Sequence, residues 1–461
     1  MTTLFQAMTN GSTTANGMAT NKSSFSACVD LFGSIGSSRG KDISSLFHRA
    51  YKENSDYAIR TLLWARDIRG GAGERQTFIS LLKELAKVDH DSASRALCRV
   101  PELGRWKDVV SFFDSEISEQ AMALVAIALA NNDGLAAKWM PRKGPDAARL
   151  RRFLELDARS YRKLLVSMST TVEQQMCAGK WTEIDFSKLP SVASARYQKA
   201  FGRNAPDQYS AFIEKLEKGE TKINAGAVFP YDITKSSMRG NASVAEAQWK
   251  AQPDYIQNST ERLLPVIDVS GSMGVSAGGS NTVTCMDVAV SLGLYVAERM
   301  KGVFADQFIS FSEQPTIHKV SGSLQERLRS VYRAPWGYST NLEAVFKLIL
   351  DSAIRYNISE DEMPTKVVIF TDMEFNQADK RAHTALDMIN DRYVDAGYKR
   401  PGLIFWNLNA REGNIPVTVD NQGTSIVSGF SPSLMKTILS GEVTTPVDMM
   451  LDVIMNERYG Y

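Results

Sequence analysis

The distribution of apolar and polar positions divides the chain into two halves with different periodicities. From Phe25 to about residue 225, apolar side chains recur three and four positions apart, the spacing that places them on one face of an α-helix. Alternating patterns are almost absent from this half, and the connections between its helical segments carry Gly or Pro. The first half is therefore predicted to be a stack of helical hairpins, an α-solenoid of the HEAT kind with degenerate repeats.

The second half alternates short apolar runs with helical segments. We predict strands at residues 263–267, 303–311, 366–371, 402–408 and 424–427, and helices at 284–300, 324–332, 341–356, 379–394 and 431–439. Alternation of strands and helices with right-handed crossovers gives a doubly wound, mostly parallel sheet. The polar residues 236–253 are predicted to form a surface crossover between the two halves.

These patterns predict three regions. Residues 1–24, rich in Thr, Ser, Asn and Gly, are expected to be a flexible arm. Residues 25–258 form the helical module, and residues 259–461 form the sheet domain.

Composition adds limits on location. Hydrophobic residues make up 43% and charged residues 23% of the 461 residues, as in ordinary soluble proteins. Apolar runs of the length of a membrane helix and a secretory signal pattern are both missing from the sequence. The four cysteines are scattered without paired spacing. A reducing, cytoplasmic location without membrane attachment is therefore expected.

The net charge of +1 conceals an asymmetry. Residues 1–258 carry 35 Lys and Arg against 28 Asp and Glu, whereas the remainder carries 18 against 24. The two halves are therefore expected to have different partners, although docking of a basic half on an acidic half would explain the asymmetry nearly as well.

Polar oxygen donors follow the first predicted strand of the sheet. Asp268, Ser270 and Ser272 occupy alternate positions after an apolar run, with Gly271 between them. A carboxylate and two hydroxyls at a strand end suit a hard divalent cation such as Mg²⁺. By itself this triplet is also compatible with an ordinary polar loop.

Two later segments favour the metal site. Thr340 lies in a turn-rich loop that opens a helix, and Asp372 follows the apolar run 366–371. The triplet, the Thr and the Asp together resemble the metal-ion-dependent adhesion site of von Willebrand factor A domains. The predicted Mg²⁺ ligands are Asp268, Ser270, Ser272, Thr340 and Asp372.

Cations lie beside aromatic residues at several places in the helical half. Such interleaving suits the phosphates and stacked bases of RNA. The candidate RNA-binding residues are Arg66, Arg69, Arg75, Arg105, Lys107, Lys138, Arg142, Lys143, Arg151 and Arg152. The alternative is that these side chains cap helices or pair with Asp67, Glu74, Asp108 or Glu155 inside the module.

Several motifs together resemble a known group of proteins. They are the segments 66–75, 104–108, 138–141, 161–164 and 229–232. They are similar to the little-characterised TROVE-like proteins of viruses, bacteria and plants, which join a helical module to a von Willebrand A domain. The Ro ribonucleoproteins share this architecture, and there the helical repeats form a ring that binds small structured RNAs and single-stranded RNA ends. The resemblance implies RNA binding by a monomer.

Catalysis is not expected from this sequence. The four His residues form no ligand-like pair, and Ser270 and Ser272 have no His or Lys partner nearby in the sequence. The alternative to RNA binding is a protein-interaction scaffold whose metal grips a carboxylate of an acidic partner, as in a viral assembly.

Overall fold

The structure is a computed structural model that shows a helical half followed by a half containing a sheet. It describes residues 9–14, 19–169, 171–226, 228–240, 242–257, 259–278, 280, 282–312, 314–333, 341–375, 385–409, 414–439 and 445–461. Within these ranges every helix is too short or too polar to cross a lipid bilayer. The order of the elements confirms the predicted fold class.

The helical half consists of short helices that pack on their neighbours along the chain. The helix Gln76–Val88, for example, buries Phe78, Leu81, Leu82 and Leu85 at the predicted spacing. The helices are α1 (Ala27–Ile35), α2 (Ser44–Glu53), α3 (Ser55–Arg66), α4 (Gln76–Val88), α5 (His90–Cys98), α6 (Val100–Leu103), α7 (Trp106–Val110), α8 (Ser118–Ala130), α9 (Gly134–Trp139), α10 (Gly144–Phe153), α11 (Ala158–Met168), α12 (Val172–Cys177), α13 (Ser191–Asn204), α14 (Pro206–Glu217), α15 (Pro230–Met238) and α16 (Ala242–Lys250).

Residues 236–253 were predicted to be a surface crossover, and this prediction is wrong. They contain the end of α15 and the whole of α16, and α16 buries Ala245, Gln248 and Trp249. The indole Nε1 of Trp249 donates to Oε2 of Glu298 at 2.6 Å, so this helix is fixed to the sheet half. The buried face includes a small side chain, an amide and an indole rather than a row of large aliphatic residues. The segment therefore shows no clear apolar pattern in the sequence.

A second, smaller core lies within the helical half. Phe186, Phe201, Tyr209 and Phe212 form an aromatic cluster around α13 and α14, with the ring centroids of Phe186 and Phe201 5.1 Å apart. The main core is continuous from the first helices into the sheet. Helices α12–α14 therefore share a small core of their own.

A six-stranded sheet forms the centre of the second half. Its strands are β3 (Leu263–Asp268), β4 (Gln307–Phe311), β5 (Thr316–Lys319), β6 (Lys366–Thr371), β7 (Gly402–Asn407) and β8 (Thr424–Ser428), after two short strands near the start of the chain, β1 (Gly11–Thr13) and β2 (Ala19–Asn21). The spatial order is β5-β4-β3-β6-β7-β8, and all pairs are parallel except β4 with β5. This is the order of a doubly wound sheet with an antiparallel edge strand.

Helices cover the sheet as the sequence predicts. They are α17 (Cys285–Arg299), α18 (Leu324–Arg333), α19 (Leu342–Tyr356), α20 (Ala385–Asp395), α21 (Met435–Leu439) and α22 (Pro446–Ile454). The bounds of strands β3, β6, β7 and β8 were predicted to within one residue, whereas β5 and α22 were not predicted.

Helix α1 packs against β8, the last strand in the order of the sheet. The Gly36 amide that follows α1 donates to Oγ of Ser428 at 2.9 Å, and Nδ2 of Asn407 donates to the carbonyl of Gly33 at 3.0 Å. Ser428 in turn donates from Oγ to the carbonyl of Phe32. The two halves therefore share an interface that starts with α1.

The region predicted to be a flexible arm is described only in part. Its described residues form the antiparallel pair β1 and β2, and Asn21 forms a bridge with Ile415 of the sheet half. Oγ1 of Thr14 donates to the carbonyl of Phe375, and Oγ1 of Thr20 donates to Oδ1 of Asn414. These contacts attach the described part of the arm beside the end of β6.

Candidate functional site

The two central strands of the sheet end at the same edge. After β3 the chain continues to β4 on one side, and it returns to β6 on the other side, so the strand order reverses between β3 and β6. Open α/β sheets bind their ligands outside the carboxyl ends of the strands at such a switch point. Asp268 is the last residue of β3, and Asp372 follows β6 directly. The fold therefore brings both predicted carboxylates to this position.

The Asp268 carboxylate is completely buried. Its Oδ1 accepts a hydrogen bond from the Ser270 amide at 2.9 Å, and its Oδ2 accepts a hydrogen bond from Oγ1 of Thr371 at 2.6 Å. Burial, together with the nearby charge of Asp372, raises the pKa of Asp268 to about 7. Within the described residues Asp268 forms no ion pair with a Lys or Arg, so a divalent cation would supply the charge that this carboxylate requires.

The hydroxyls of the triplet extend from Asp268 to Asp372. Oγ of Ser270 lies 2.9 Å from Oγ of Ser272, which donates to Oδ1 of Asp372 at 3.2 Å. Adjacent oxygens around an octahedral Mg²⁺ lie about 2.9 Å apart, because each lies about 2.05 Å from the ion. The two distances are those of ordinary hydrogen bonds, and they are also compatible with neighbouring ligands of one cation. Ser272 is only half-buried, so the set opens to the surface there.

The fifth predicted ligand, Thr340, lies outside the described residues. In the described ranges, the structure has no group of three or more His, Cys, Asp or Glu side chains that could hold a metal. The candidate site therefore consists of two carboxylates and two hydroxyls, a donor set that suits Mg²⁺ better than Zn²⁺.

Three residues around the site were not predicted. Thr371 holds Asp268, and Asn414 donates from Nδ2 to the carbonyl of Met373 at 2.8 Å and to Oε1 of Glu374 at 3.2 Å. Met373 has a positive φ of 68°, a conformation that is uncommon for a residue with a side chain. The position of Thr371 at a strand end was a usable signal, whereas nothing in the sequence connects Asn414 with residues 40 positions earlier.

Three of the candidate RNA-binding residues meet at one carboxylate. Arg66 donates from Nε and Nη2 to Oδ2 of the buried Asp108, at 2.9 and 2.5 Å. Arg75 and Arg105 donate from Nε to Oδ1 of Asp108, at 2.6 and 3.2 Å. Arg66 is 2% exposed, so its guanidinium is not presented at the surface. For this residue the structure favours the alternative of ion pairing inside the module. We call Arg66, Arg75, Arg105 and Asp108 the arginine cluster.

The glycine-rich turn between α3 and α4 connects the halves of the molecule. A Cβ on Gly71 would lie 1.9 Å from the carbonyl oxygen of Trp64, so no other residue fits there without a shift of the backbone. The Gly71 carbonyl accepts a hydrogen bond from Oγ of Ser433 at 2.9 Å, and a Cβ on Gly429 would lie 3.1 Å from the Cβ of Ala72. This turn therefore packs against the end of the sheet half.

The remaining candidates lie at or near the surface of the helical half. Lys138 pairs with Glu173 at 3.4 Å and lies 5.5 Å from the centre of the Trp139 ring. Arg69 is exposed and donates to the carbonyl of Glu102. Lys107, Arg142, Lys143 and Arg152 are exposed, and Arg151 is half-buried. The structure places these last residues where a ligand could reach them.

The architecture and the site define a protein with a helical module and a doubly wound sheet. The chain belongs to the family described as a domain of unknown function, DUF2828, which matches residues 14–93 and 111–261. A second domain of unknown function, DUF7788, matches residues 262–457.

The chain is similar in sequence to a viral protein. Uncharacterized protein L728 of Acanthamoeba polyphaga mimivirus is 31% identical over 509 residues, which cover 97% of this chain and 88% of that protein. The predicted similarity to a little-characterised family is thus confirmed. The crystal structure of the Ro (RSR) protein of Deinococcus radiodurans matches 91% of this chain and 100% of that chain, with a TM-score of 0.48 and 16% identity. This degree of similarity does not bear on function.

Proposed function

We propose that the protein binds RNA through a basic face of the helical half and holds a divalent cation at the end of β3 and β6. The basic face consists of Arg142, Lys143, Arg151, Arg152, Arg159, Arg162 and Lys163. The segment 138–163 carries nine Lys and Arg against three Asp and Glu. Within the described residues, no side chain of the basic face forms an ion pair. This unneutralised charge is the observation that carries the RNA proposal.

Apolar side chains lie among these cations. Phe153 on α10 and Val166 on α11 are 41% and 56% exposed. Cations that neutralise phosphates, next to an exposed aromatic ring on which a base can stack, are the combination that proteins use for single-stranded RNA.

The RNA proposal is tested with charge-neutralised variants. The triple variant Arg152→Gln/Arg159→Gln/Lys163→Gln is compared with Lys199→Gln/Lys215→Gln/Lys222→Gln, which removes three exposed lysines elsewhere in the helical half. We expect the first to weaken binding of a 20-nucleotide single strand at least ten-fold. It should also reduce the slope of log affinity against log salt by about 2, at about 0.7 for each lost phosphate contact. Equal affinities of the two variants would contradict the basic face.

For the cation, Asp268, Ser270, Ser272 and Asp372 would supply the protein ligands. A bound Mg²⁺ would offset the charge of the two buried carboxylates and leave a coordination position at the surface side of Ser272. Titration of the protein with Mg²⁺ by calorimetry tests this directly, with Asp372→Ala as the variant expected not to bind.

The exposed side of Ser272 also favours a second function, in which the cation binds a carboxylate of an acidic protein partner. Asp268→Ala distinguishes the two functions, because it removes the cation but leaves the basic face intact. Loss of a protein partner with unchanged RNA affinity would support the scaffold, and unchanged recovery of partners would contradict it.

A further inference from the structure

The arginine cluster contains more positive charge than its carboxylate can neutralise. Three guanidiniums share Asp108, which leaves a net charge of +2 where α3, α4 and α7 meet. Burial lowers the pKa of Arg66, the Asp108 carboxylate opposes that shift, and the neighbouring cations Arg105 and Arg75 add to it. The other nearby carboxylates have their own partners, because Glu74 pairs with Arg39 and Asp67 pairs with Arg458.

The donors of the cluster are only partly used. Nη1 of Arg66 is buried and has no hydrogen-bond partner in the described part of the chain. Arg75 and Arg105 contact Asp108 through Nε alone, and within the same residues their Nη groups donate to no protein acceptor. A buried guanidinium N–H without an acceptor is destabilising, and a nearby anion would offset the excess positive charge of the cluster.

The cluster can be reached from solvent. The side chains of Arg75 and Arg105 are 31% and 39% exposed. The guanidinium of Arg105 also lies 5.7 Å from the centre of the Trp139 ring. The ammonium of Lys138 lies near the same ring. A ligand would therefore meet two partly exposed guanidiniums, with the third buried behind them.

We propose that the arginine cluster is a binding site for a phosphate group. Forked guanidinium donors match the tetrahedral oxygens of phosphate, and a net charge of +2 matches a phosphate dianion or two adjacent phosphodiesters. The site shares no residue with the basic face and does not depend on the proposed RNA function. The phosphate can belong to an RNA backbone or to a free phosphorylated compound.

The test uses the full chain with inorganic pyrophosphate as the probe. We expect pyrophosphate to raise the thermal unfolding midpoint of the wild type but not that of Arg75→Met/Arg105→Met, in which Arg66 still neutralises Asp108. Arg75→Lys keeps the charge but loses the fork, so it should retain only part of the shift. The control Arg60→Met removes an arginine that pairs one-to-one with Asp56 on α3, and it should respond like the wild type.

The outcomes distinguish whether the phosphate site exists, which kind of phosphate it binds and whether RNA binding involves it. Equal pyrophosphate shifts in the wild type and the double variant would overturn the proposal. Equal protection by polyglutamate at matched charge would also overturn it, because the cluster would then be an unspecific positive patch. If the double variant also loses ten-fold or more in affinity for a 10-nucleotide RNA, the phosphate is that of RNA. If RNA affinity is unchanged, or the wild type binds no RNA, loss of the pyrophosphate shift supports a free phosphorylated ligand.

Discussion

Arg458 donates two hydrogen bonds to the buried carboxylate of Asp67, from Nε at 2.6 Å and from Nη2 at 2.9 Å. The hydroxyl of Tyr459 donates to the same carboxylate at 3.2 Å. Asp67 follows α3 and Arg458 follows α22, 391 positions later, so one carboxylate joins the helical half to the end of the sheet half.

The variant Arg458→Met should be clearly less stable than the wild type. It leaves the Asp67 carboxylate buried without its cation, a change that costs about 3 kcal/mol in comparable pairs. We expect a lower urea midpoint, measured by circular dichroism. The control Arg355→Met removes an exposed arginine of α19 and should leave the midpoint unchanged. Similar midpoints for both variants would show that the pair does not join the halves.

The contribution of Asp67 should depend on pH. Burial raises the pKa of this carboxyl, but the hydrogen bonds from Arg458, from the Arg69 amide and from Tyr459, with the charge of Arg458, together outweigh burial and hold the pKa below its ordinary value. A depressed pKa stabilises the fold above the unfolded value of about 3.9, and this stabilisation is lost as the pH falls through the folded value. The difference in urea midpoint between wild type and Asp67→Asn should be constant from pH 7 to pH 5 and should shrink below about pH 4. An undiminished difference at pH 3 would contradict this assignment.

Because α1 approaches β8 closely at Gly36, a side chain at this position should lower the free energy of unfolding. A Cβ on Gly36 would lie 2.0 Å from the carbonyl oxygen of Ser428, so Gly36→Ala must separate the two elements. We expect a loss of about 2 kcal/mol in the free energy of unfolding, as for other overpacked sites. Gly202→Ala is the matched control, because its Cβ would meet no atom within 4 Å inside α13, and it should stabilise the helix slightly. Urea denaturation of both variants measures the contrast.

Mg²⁺ should stabilise the wild-type protein by an amount set by the ratio of its concentration to its dissociation constant. A ligand at 100 times its dissociation constant adds about 2.7 kcal/mol to the free energy of unfolding. We expect a rise in the thermal midpoint on addition of Mg²⁺, and no such rise in Asp372→Ala. The variant Asp361→Ala removes an exposed carboxylate of the same half and should behave like the wild type. A rise of equal size in Asp372→Ala would place the cation elsewhere.

The central strands were predictable because burial on both faces leaves an uninterrupted apolar run. The strands β3 and β6 are buried at every residue, and the polar residues that follow them marked the candidate site. The edge strand β5 gives no such signal, because its residues Thr316–Lys319 are exposed or only half-buried. A strand that is covered on neither face shows no hydrophobic pattern in the sequence.

Pairings between distant residues could not be predicted. The sequence showed several arginines and several carboxylates, but it did not reveal that Arg66, Arg75 and Arg105 share Asp108 while Arg458 pairs with Asp67. Any of these cations was compatible with any of the carboxylates until the helices were placed. Local patterns therefore identified the elements and the strand-end residues, whereas the partners of the charged side chains required the fold.

The contact between α1 and β8 has a consequence for biosynthesis. The Gly36 amide and the Ser428 hydroxyl that it reaches are 392 positions apart in the chain. At translation rates of about 5–20 residues per second, α1 leaves the ribosome roughly 20–80 seconds before β8 is made. During that interval the side of α1 that faces β8, at Gly33 and Gly36, has no sheet to cover it. The nascent helical half therefore keeps this side of α1 uncovered, with α1 packed only on its own helical neighbours, until the last strand is complete.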